Sequence, residues 1–321
     1  MKQTLIFFSY LFCAVLIFAA GLACGAIPLP WNEIFSGGDD TGLLLLKLRA
    51  IRMSAAFTAG GALALAGLLF QAVLRNPLAE PFTLGLSGGA AVGAALAFLF
   101  PLTLFGAFTV NIMAFTGAIL ILLLVLYISG GAEENLLLSG VITGTVMSGI
   151  LMYLISIADN TELAGITFWM LGDLQGVSLN TLLPNGMILL AATVFALTQA
   201  GNIDALSLGR EQAWDLGVNT KTLAVLLTVT GALLTAGTVA MTGIIGFCGL
   251  VIPHAVRKLH GAVHRRNILP CVLLGGSFLM LCDVVSRLGG IREIPVGVIT
   301  SLIGGPFFLW LLNRRRPYHG S

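Results

Sequence analysis

The side chains that could carry chemistry in this chain are few, and they are spaced for pairing rather than for catalysis. Asp283 lies four residues before Arg287, which puts a carboxylate and a guanidinium on one helical face. We favour an ion pair there, with a proton relay as the alternative. No lysine stands in a G-x-x-x-x-G-K-S/T motif, and the four histidines lack the H-E-x-x-H spacing of a zinc site. The sequence therefore predicts no catalytic residue, no metal ligand set, no bound cofactor and no enzyme.

The elements that position these residues belong to a very apolar chain. Of its 321 residues, 57% are hydrophobic and 9% are charged, whereas about 25% are charged in a typical soluble domain. The apolar residues run unbroken instead of alternating, which favours membrane-spanning helices over barrel strands. A net charge of +2 gives no basic surface for nucleic acid. We predict an all-α, multi-pass membrane bundle that forms a single domain over residues 1–321.

Ten spans are predicted from apolar runs near the length of about 20 residues that a bilayer requires. Their approximate bounds are 4–27, 43–74, 83–100, 106–129, 136–157, 181–200, 222–242, 244–260, 268–288 and 296–313. With both termini in the cytoplasm, 11 of the 16 lysines and arginines lie inside, as the positive-inside rule expects. The five left outside need a reason, and they are Lys47, Arg49, Arg52, Arg287 and Arg292.

Two of the outer basic residues form a pair. Arg49 and Arg52 are three residues apart and share one helical face. Paired guanidinium groups are suited to bidentate capture of carboxylates, such as those of a partner protein. Alternatively, the two side chains reach up to the lipid headgroups as interfacial anchors. The residues alone leave both interpretations open.

The longest polar stretch on the inner side covers residues 201–221 and reads GNIDALSLGREQAWDLGVNTK. It predicts two short amphipathic helices that are separated at Gly209 and end at Gly217. Apolar residues on such a loop indicate contact with a partner protein or with the headgroup layer. The mixed sign of its charges favours the partner.

Several separated motifs cover nearly the whole chain. Residues 49–85 contain R-x-x-R, A-G-x-x-x-Q, N-P-L-A-x-P and L-G in this order. They are followed by LSLGREQAWDLGV, GIIGFCGLVIPHAVRKLHG, HRRNILP and REIPVGVITSLIGGPFFLWLL. In these motifs the chain resembles the permeases of metal-chelate ATP-binding cassette (ABC) importers, the FecCD family, which move iron–siderophore complexes, haem or vitamin B12.

The resemblance implies a ten-helix permease of the type II ABC importer class in the bacterial cytoplasmic (inner) membrane. It implies a second permease subunit, two cytoplasmic ATPase subunits that use ATP and Mg²⁺, and an external or periplasmic substrate-binding protein. The expected cargo is an iron–siderophore or haem-type chelate, with vitamin B12 (cobalamin) as the alternative. An ion-coupled secondary transporter is less favoured, because the predicted spans carry almost no ionisable residues.

The resemblance also implies roles for particular residues. Arg49, Arg52 and Arg287 would form pockets that receive glutamates of the binding protein. Residues 201–221 would form a cytoplasmic coupling loop that sits in a groove of the ATPase. Its contacts and turns would be Leu206, Leu208, Gly209, Glu211, Ala213, Leu216 and Gly217. A cytoplasmic gate would lie at Glu134 and Asn135.

Overall fold

The computed structural model describes residues 2–25, 27, 40–100, 103–130, 133–288 and 293–313. Over these ranges the chain forms thirteen α-helices and two short 3-10 helices, with no β-strand. The α-helices are α1 Lys2–Ala23, α2 Asp40–Val73, α3 Leu86–Leu99, α4 Thr109–Ser129, α5 Glu133–Ile157, α6 Asn160–Met170, α7 Leu179–Thr198, α8 Ala200–Leu208, α9 Arg210–Asp215, α10 Thr220–Thr242, α11 Cys248–His260, α12 His264–Arg287 and α13 Val296–Asn313. The 3-10 helices are Pro81–Leu84 and Thr103–Phe108. The predicted all-α class is confirmed.

Each of the ten predicted spans contains one α-helix. Six of these helices, α2, α4, α5, α7, α10 and α12, are long and apolar enough to cross a membrane. Shorter apolar helices lie in α1, α3 and α13. The remaining one, α11, has only 13 residues and a basic last turn. We call the end of the bundle that holds Arg287 the outer end and the end that holds α8 and α9 the inner end, following the predicted orientation.

One helix, α6, lies in a stretch where no helix was predicted. With 11 residues it is far too short to cross a bilayer, and its apolar run is correspondingly brief. Its start is fixed by a capping interaction, in which the Asp159 backbone N–H donates to Glu162 Oε2 at 3.0 Å. This acid three residues into the helix is the signal that could have revealed α6.

The core of the bundle is α2, whose spanning part is almost wholly buried. It packs against α12 through Gly60 and Gly275, where a Cβ on either glycine would overlap the carbonyl oxygen of the other. Gly67 approaches Gly249 of α11 in the same way. Small residues let helix backbones approach this closely within a membrane, where dispersion contacts rather than water exclusion hold helices together. Close backbone contacts therefore join α2 to both α11 and α12.

In contrast, α5 is mostly exposed in this chain. Its open face carries large apolar residues such as Val141 and Val146, together with the hydroxyl-bearing Thr145 and Ser148. Each of these two hydroxyls donates to the carbonyl four residues earlier at 3.0 Å. The backbone therefore satisfies both donors, and the open face remains available to lipid or to another chain.

Candidate docking sites at the two ends of the bundle

The three arginines predicted to receive a partner lie together at the outer end. Arg49 and Arg52 of α2 and Arg287 of α12 line one pocket of about 300 Å³. Gln175, from the connection between α6 and α7, and Glu293, just before α13, complete its polar lining. The packing of α2 on α12 brings residues more than 230 positions apart in sequence into one site.

Asp283 is the buried centre of this site. Its Oδ1 accepts from Arg52 Nε at 2.8 Å, and its Oδ2 lies 2.8 Å from Arg287 Nη2. The predicted pairing of Asp283 with Arg287 is confirmed, while the second cation comes from a different helix. The fully buried carboxylate thus lies between two opposite charges, although among the described residues only Oδ1 accepts a hydrogen bond and Oδ2 has the charge contact alone. This geometry favours the ion-pair interpretation over the proton relay.

Arg49 and Arg287 also cap the end of α1. Arg49 Nη1 donates to the carbonyls of Leu22 and Ala23 at 2.9 and 3.1 Å, and Arg287 Nη1 donates to that of Gly21 at 3.1 Å. The last carbonyls of a helix have no partners within the helix and carry its negative dipole end. Both arginines are buried, so they join α1 to the α2–α12 pair as well as lining the pocket.

Arg52 is the member of the trio that shares its guanidinium between two carboxylates. In addition to the Asp283 contact, its Nη1 donates to Glu293 Oε2 at 2.8 Å. Gln175 Nε2 donates to the same oxygen, also at 2.8 Å. Neither Glu293 nor Gln175 was predicted from the sequence, although the position of Glu293 next to Arg292 in an outer segment was a visible signal. Arg292, the fifth outer basic residue, lies outside the described residues.

At the inner end, the predicted pair of amphipathic helices is present as α8 and α9. They are separated at Gly209, which has φ 136°, and α9 is followed by Gly217, with φ 82°. Both glycines adopt backbone conformations that residues with a Cβ rarely take. The two turns predicted for residues 201–221, which we call the inner loop, are therefore confirmed.

The structure divides the apolar residues that were predicted to contact an ATPase. Leu206 and Ala213 are fully buried in this chain's own core, so they hold the inner loop in place instead of facing a partner. Leu208 and Leu216 are each 66% exposed, and Trp214, which was not assigned a role, is 67% exposed. An amphipathic pattern identifies apolar positions, but the packing of α8 on α2 and α12 decides which of them remain outside.

Hydrogen bonds between Asp204 and His264 attach the inner loop to α12. Asp204 Oδ1 accepts the backbone N–H of His264 at 2.8 Å and lies 2.7 Å from His264 Nδ1. His264 is the first residue of α12, so the carboxylate occupies the positive end of that helix. Glu211, the predicted polar contact, is exposed in the first turn of α9.

The residues predicted as a cytoplasmic gate lie at the start of α5. Asn135 is exposed in its first turn. The side chain of Glu134 lies outside the described part of the chain. The gate stays a prediction.

Another acidic residue with a defined hydrogen bond, Glu80, lies in the connection between α2 and α3. Glu80 Oε1 accepts the backbone N–H of Phe247 at 2.6 Å. Phe247 precedes α11 with φ 66°, a conformation that is costly for a bulky residue and that the surrounding structure must hold. Burial raises the pKa of the Glu80 carboxyl above its usual value, and the bond from Phe247 partly offsets that rise. Glu80 thus joins the N-P-L-A-x-P motif to the start of α11.

A bundle with six apolar helices long enough to cross a membrane, and with a candidate docking site at each end, is the architecture of a multi-pass membrane protein. The model of the FecCD transport family matches residues 12–314. The chain belongs to this family.

Named relatives and a solved structure are similar over almost the full length. The hemin transport system permease protein HmuU of Yersinia pestis is 34% identical over 325 residues, which covers 98% of this chain and 97% of that protein. The vitamin B12 import system permease protein BtuC of Yersinia enterocolitica is 35% identical over 300 residues, covering 91% and 88%. A solved inward-facing metal-chelate type ABC transporter superposes with a TM-score of 0.88 at 31% identity, covering 96% of this chain and 99% of that one.

Proposed function

We propose that this chain is the permease subunit of an ABC importer that carries an iron–siderophore or haem-type chelate across the bacterial cytoplasmic membrane. The observation that carries the proposal is the family match over residues 12–314. Vitamin B12 is the second candidate cargo, because a vitamin B12 permease is as similar to this chain as the hemin permease is. The chain itself would bind no cofactor, and ATP and Mg²⁺ would be used by separate ATPase subunits.

The exposed side chains of the inner loop support docking of an ATPase. Leu208, Trp214 and Leu216 are large apolar side chains that are mostly exposed on a segment outside the spanning helices. Large apolar side chains exposed together on a polar loop are typical of a segment that a partner covers. Two such loops, one from each permease of a pair, would receive the two ATPases.

The outer pocket supports docking of a substrate-binding protein. It combines three guanidinium groups with an open cavity of about 300 Å³. Guanidinium forks bind carboxylates through paired hydrogen bonds, which gives both strength and orientation. Acidic side chains of the binding protein are the expected occupants.

The open face of α5 supports pairing with a second permease. Thr145 and Ser148 line a surface pocket of about 360 Å³ together with Ser87 of α3. On a mostly exposed spanning helix, hydroxyl-bearing residues favour a face that lines an aqueous route between two subunits over a face that contacts only lipid. The cargo would pass between the two copies.

Reconstitution in proteoliposomes tests the proposal. The chain is assembled with its ATPase and binding protein, and uptake of iron-55 siderophores, hemin and cobalamin is measured with and without ATP. We expect ATP-dependent uptake of one chelate, reduced at least about tenfold by Trp214→Ala, since a central aromatic contact of an interface is typically worth 2 kcal/mol or more. Tyr127→Ala is the matched control, because Tyr127 is also a highly exposed aromatic residue, near the end of α4. Solute uptake by the chain alone under a proton or sodium gradient would overturn the proposal in favour of a secondary transporter.

A further inference from the structure

The outer pocket already contains a carboxylate that is held by the group expected to receive a partner. Arg52 directs Nε to Asp283 and Nη1 to Glu293, each at 2.8 Å. A guanidinium presents its donors in a rigid planar fork, so a bidentate contact at its outer edge needs Nη1. Any carboxylate that enters the pocket and binds that edge must share Nη1 with Glu293 and lie close to its negative charge.

The two carboxylates on Arg52 differ in how firmly they are enclosed. The side chain of Asp283 is 0% exposed and also pairs with Arg287. The side chain of Glu293 is 22% exposed and lines the pocket. Withdrawal of Asp283 would leave a buried charge without its partners, whereas Glu293 can exchange Arg52 for water. Asp283 is thus the permanent counter-ion of Arg52, and Glu293 is the replaceable one.

We propose that Glu293 is an internal occupant of the docking pocket and that a carboxylate of the incoming partner replaces it on Arg52. This inference rests on the proposed function, because it assumes that the pocket receives an acidic partner. Gln175 donates to the same Glu293 oxygen as Arg52 does. It can therefore remain a hydrogen-bond partner of Glu293 after Glu293 has left Arg52. The structure shows the pocket with its internal carboxylate in place.

The exchange makes docking selective. With Glu293 seated, the described charged residues of the site are three guanidinium groups and two carboxylates, so one positive charge is unbalanced. A partner gains the contact with Arg52 only if its carboxylate binds Arg52 more tightly than Glu293, which the chain already holds beside it. Removal of the Glu293 charge should therefore strengthen docking of an acidic partner, although the variant loses a contact within the chain.

The test measures binding of poly-L-glutamate to the full chain in lipid nanodiscs. Glu293→Gln keeps the size of the side chain and removes the competing charge, and we expect it to bind the polymer about tenfold more tightly, the effect of one charge-assisted hydrogen bond. Arg52→Gln should weaken binding, and in that background Glu293→Gln should have no further effect. Glu162→Gln is the matched control, since glutamine keeps the capping role at the start of α6 while one acidic charge is lost elsewhere.

The results separate this inference from the proposed function. Unchanged or weaker binding by Glu293→Gln would show that Glu293 only supports Arg52. An equal gain from Glu162→Gln would show that the loss of any acidic charge is enough. Either result overturns the exchange. If Arg52→Gln binds as well as the unaltered chain, the pocket is not the docking site and that part of the proposed function fails. No detectable binding by either the unaltered chain or Glu293→Gln also overturns the exchange. Thermal unfolding of each variant checks that the fold is retained.

Discussion

Replacement of Asp283 by asparagine isolates the contribution of the outer ion-pair network to stability. Asp283 is fully buried and lies 2.8 Å from guanidinium nitrogens of both Arg52 and Arg287. Asparagine keeps the size and most of the shape of the side chain but removes its charge. Two guanidinium groups would then remain close together without the anion that they share. The network joins α2 to α12 and supports the capping of α1, so its loss should loosen the outer end of the bundle.

The magnitude follows from the burial of the partners. Removal of one member of a buried ion pair costs about 3–5 kcal/mol, because the other charge remains buried. Arg52 is 14% exposed and keeps its contact with Glu293, which places the loss near the lower bound, about 3 kcal/mol. At about 2–4 °C per kcal/mol, the melting temperature should fall by about 6–12 °C.

The buried cysteines provide the assay. Cys248 and Cys271 are fully buried, so a thiol-reactive fluorescent dye reports their exposure as detergent-solubilised protein unfolds. The exposed Cys13 is first replaced by serine in every variant. Glu211→Gln removes one acidic charge at an exposed position and should change the melting temperature little. If Asp283→Asn unfolds at the temperature of the unaltered chain, the network does not hold the outer end and the reasoning is wrong.

Two further predictions concern the packing of α2 and the inner loop. Gly67→Ala should destabilise the chain by about 1–3 kcal/mol, since its methyl group would overlap the Gly249 carbonyl. Gly186→Ala is the control, because Gly186 faces open space on α7 and its replacement should not destabilise the chain. The same dye assay measures the melting temperatures of both variants. Asp204→Asn should weaken the contact with His264 and lower uptake per ATP hydrolysed by the assembled importer, while ATP hydrolysis itself persists. An unchanged ratio of transport to hydrolysis would contradict the second prediction.

The helices that cross the membrane could be predicted because a long apolar run has few alternatives in a bilayer. A spanning segment must satisfy its own backbone hydrogen bonds, and an α-helix of about 20 residues does so. Helix α6 escaped prediction because it is half that length, and its only local signal is the spacing of Asp159 and Glu162. Length and composition therefore predict spans well and short connecting helices poorly.

The candidate sites divide by how far apart in sequence their members are. The Asp283–Arg287 pair was predictable because residues four apart on a helix are neighbours. The Arg52–Asp283 pair was not, because it depends on the packing of α2 against α12 at Gly60 and Gly275. Small-residue spacing indicates that helices pack closely, but it does not identify the partner helix.

The two candidate docking surfaces are attached to opposite ends of one helix. At its first residue, α12 holds Asp204 of the inner loop, and near its last turn Asp283 holds Arg52. The helix is continuous over 24 residues, which at 1.5 Å per residue is about 36 Å, enough to cross the hydrocarbon core. A movement of α12 as one rigid helix that keeps these two contacts therefore carries the inner loop and Arg52 with it.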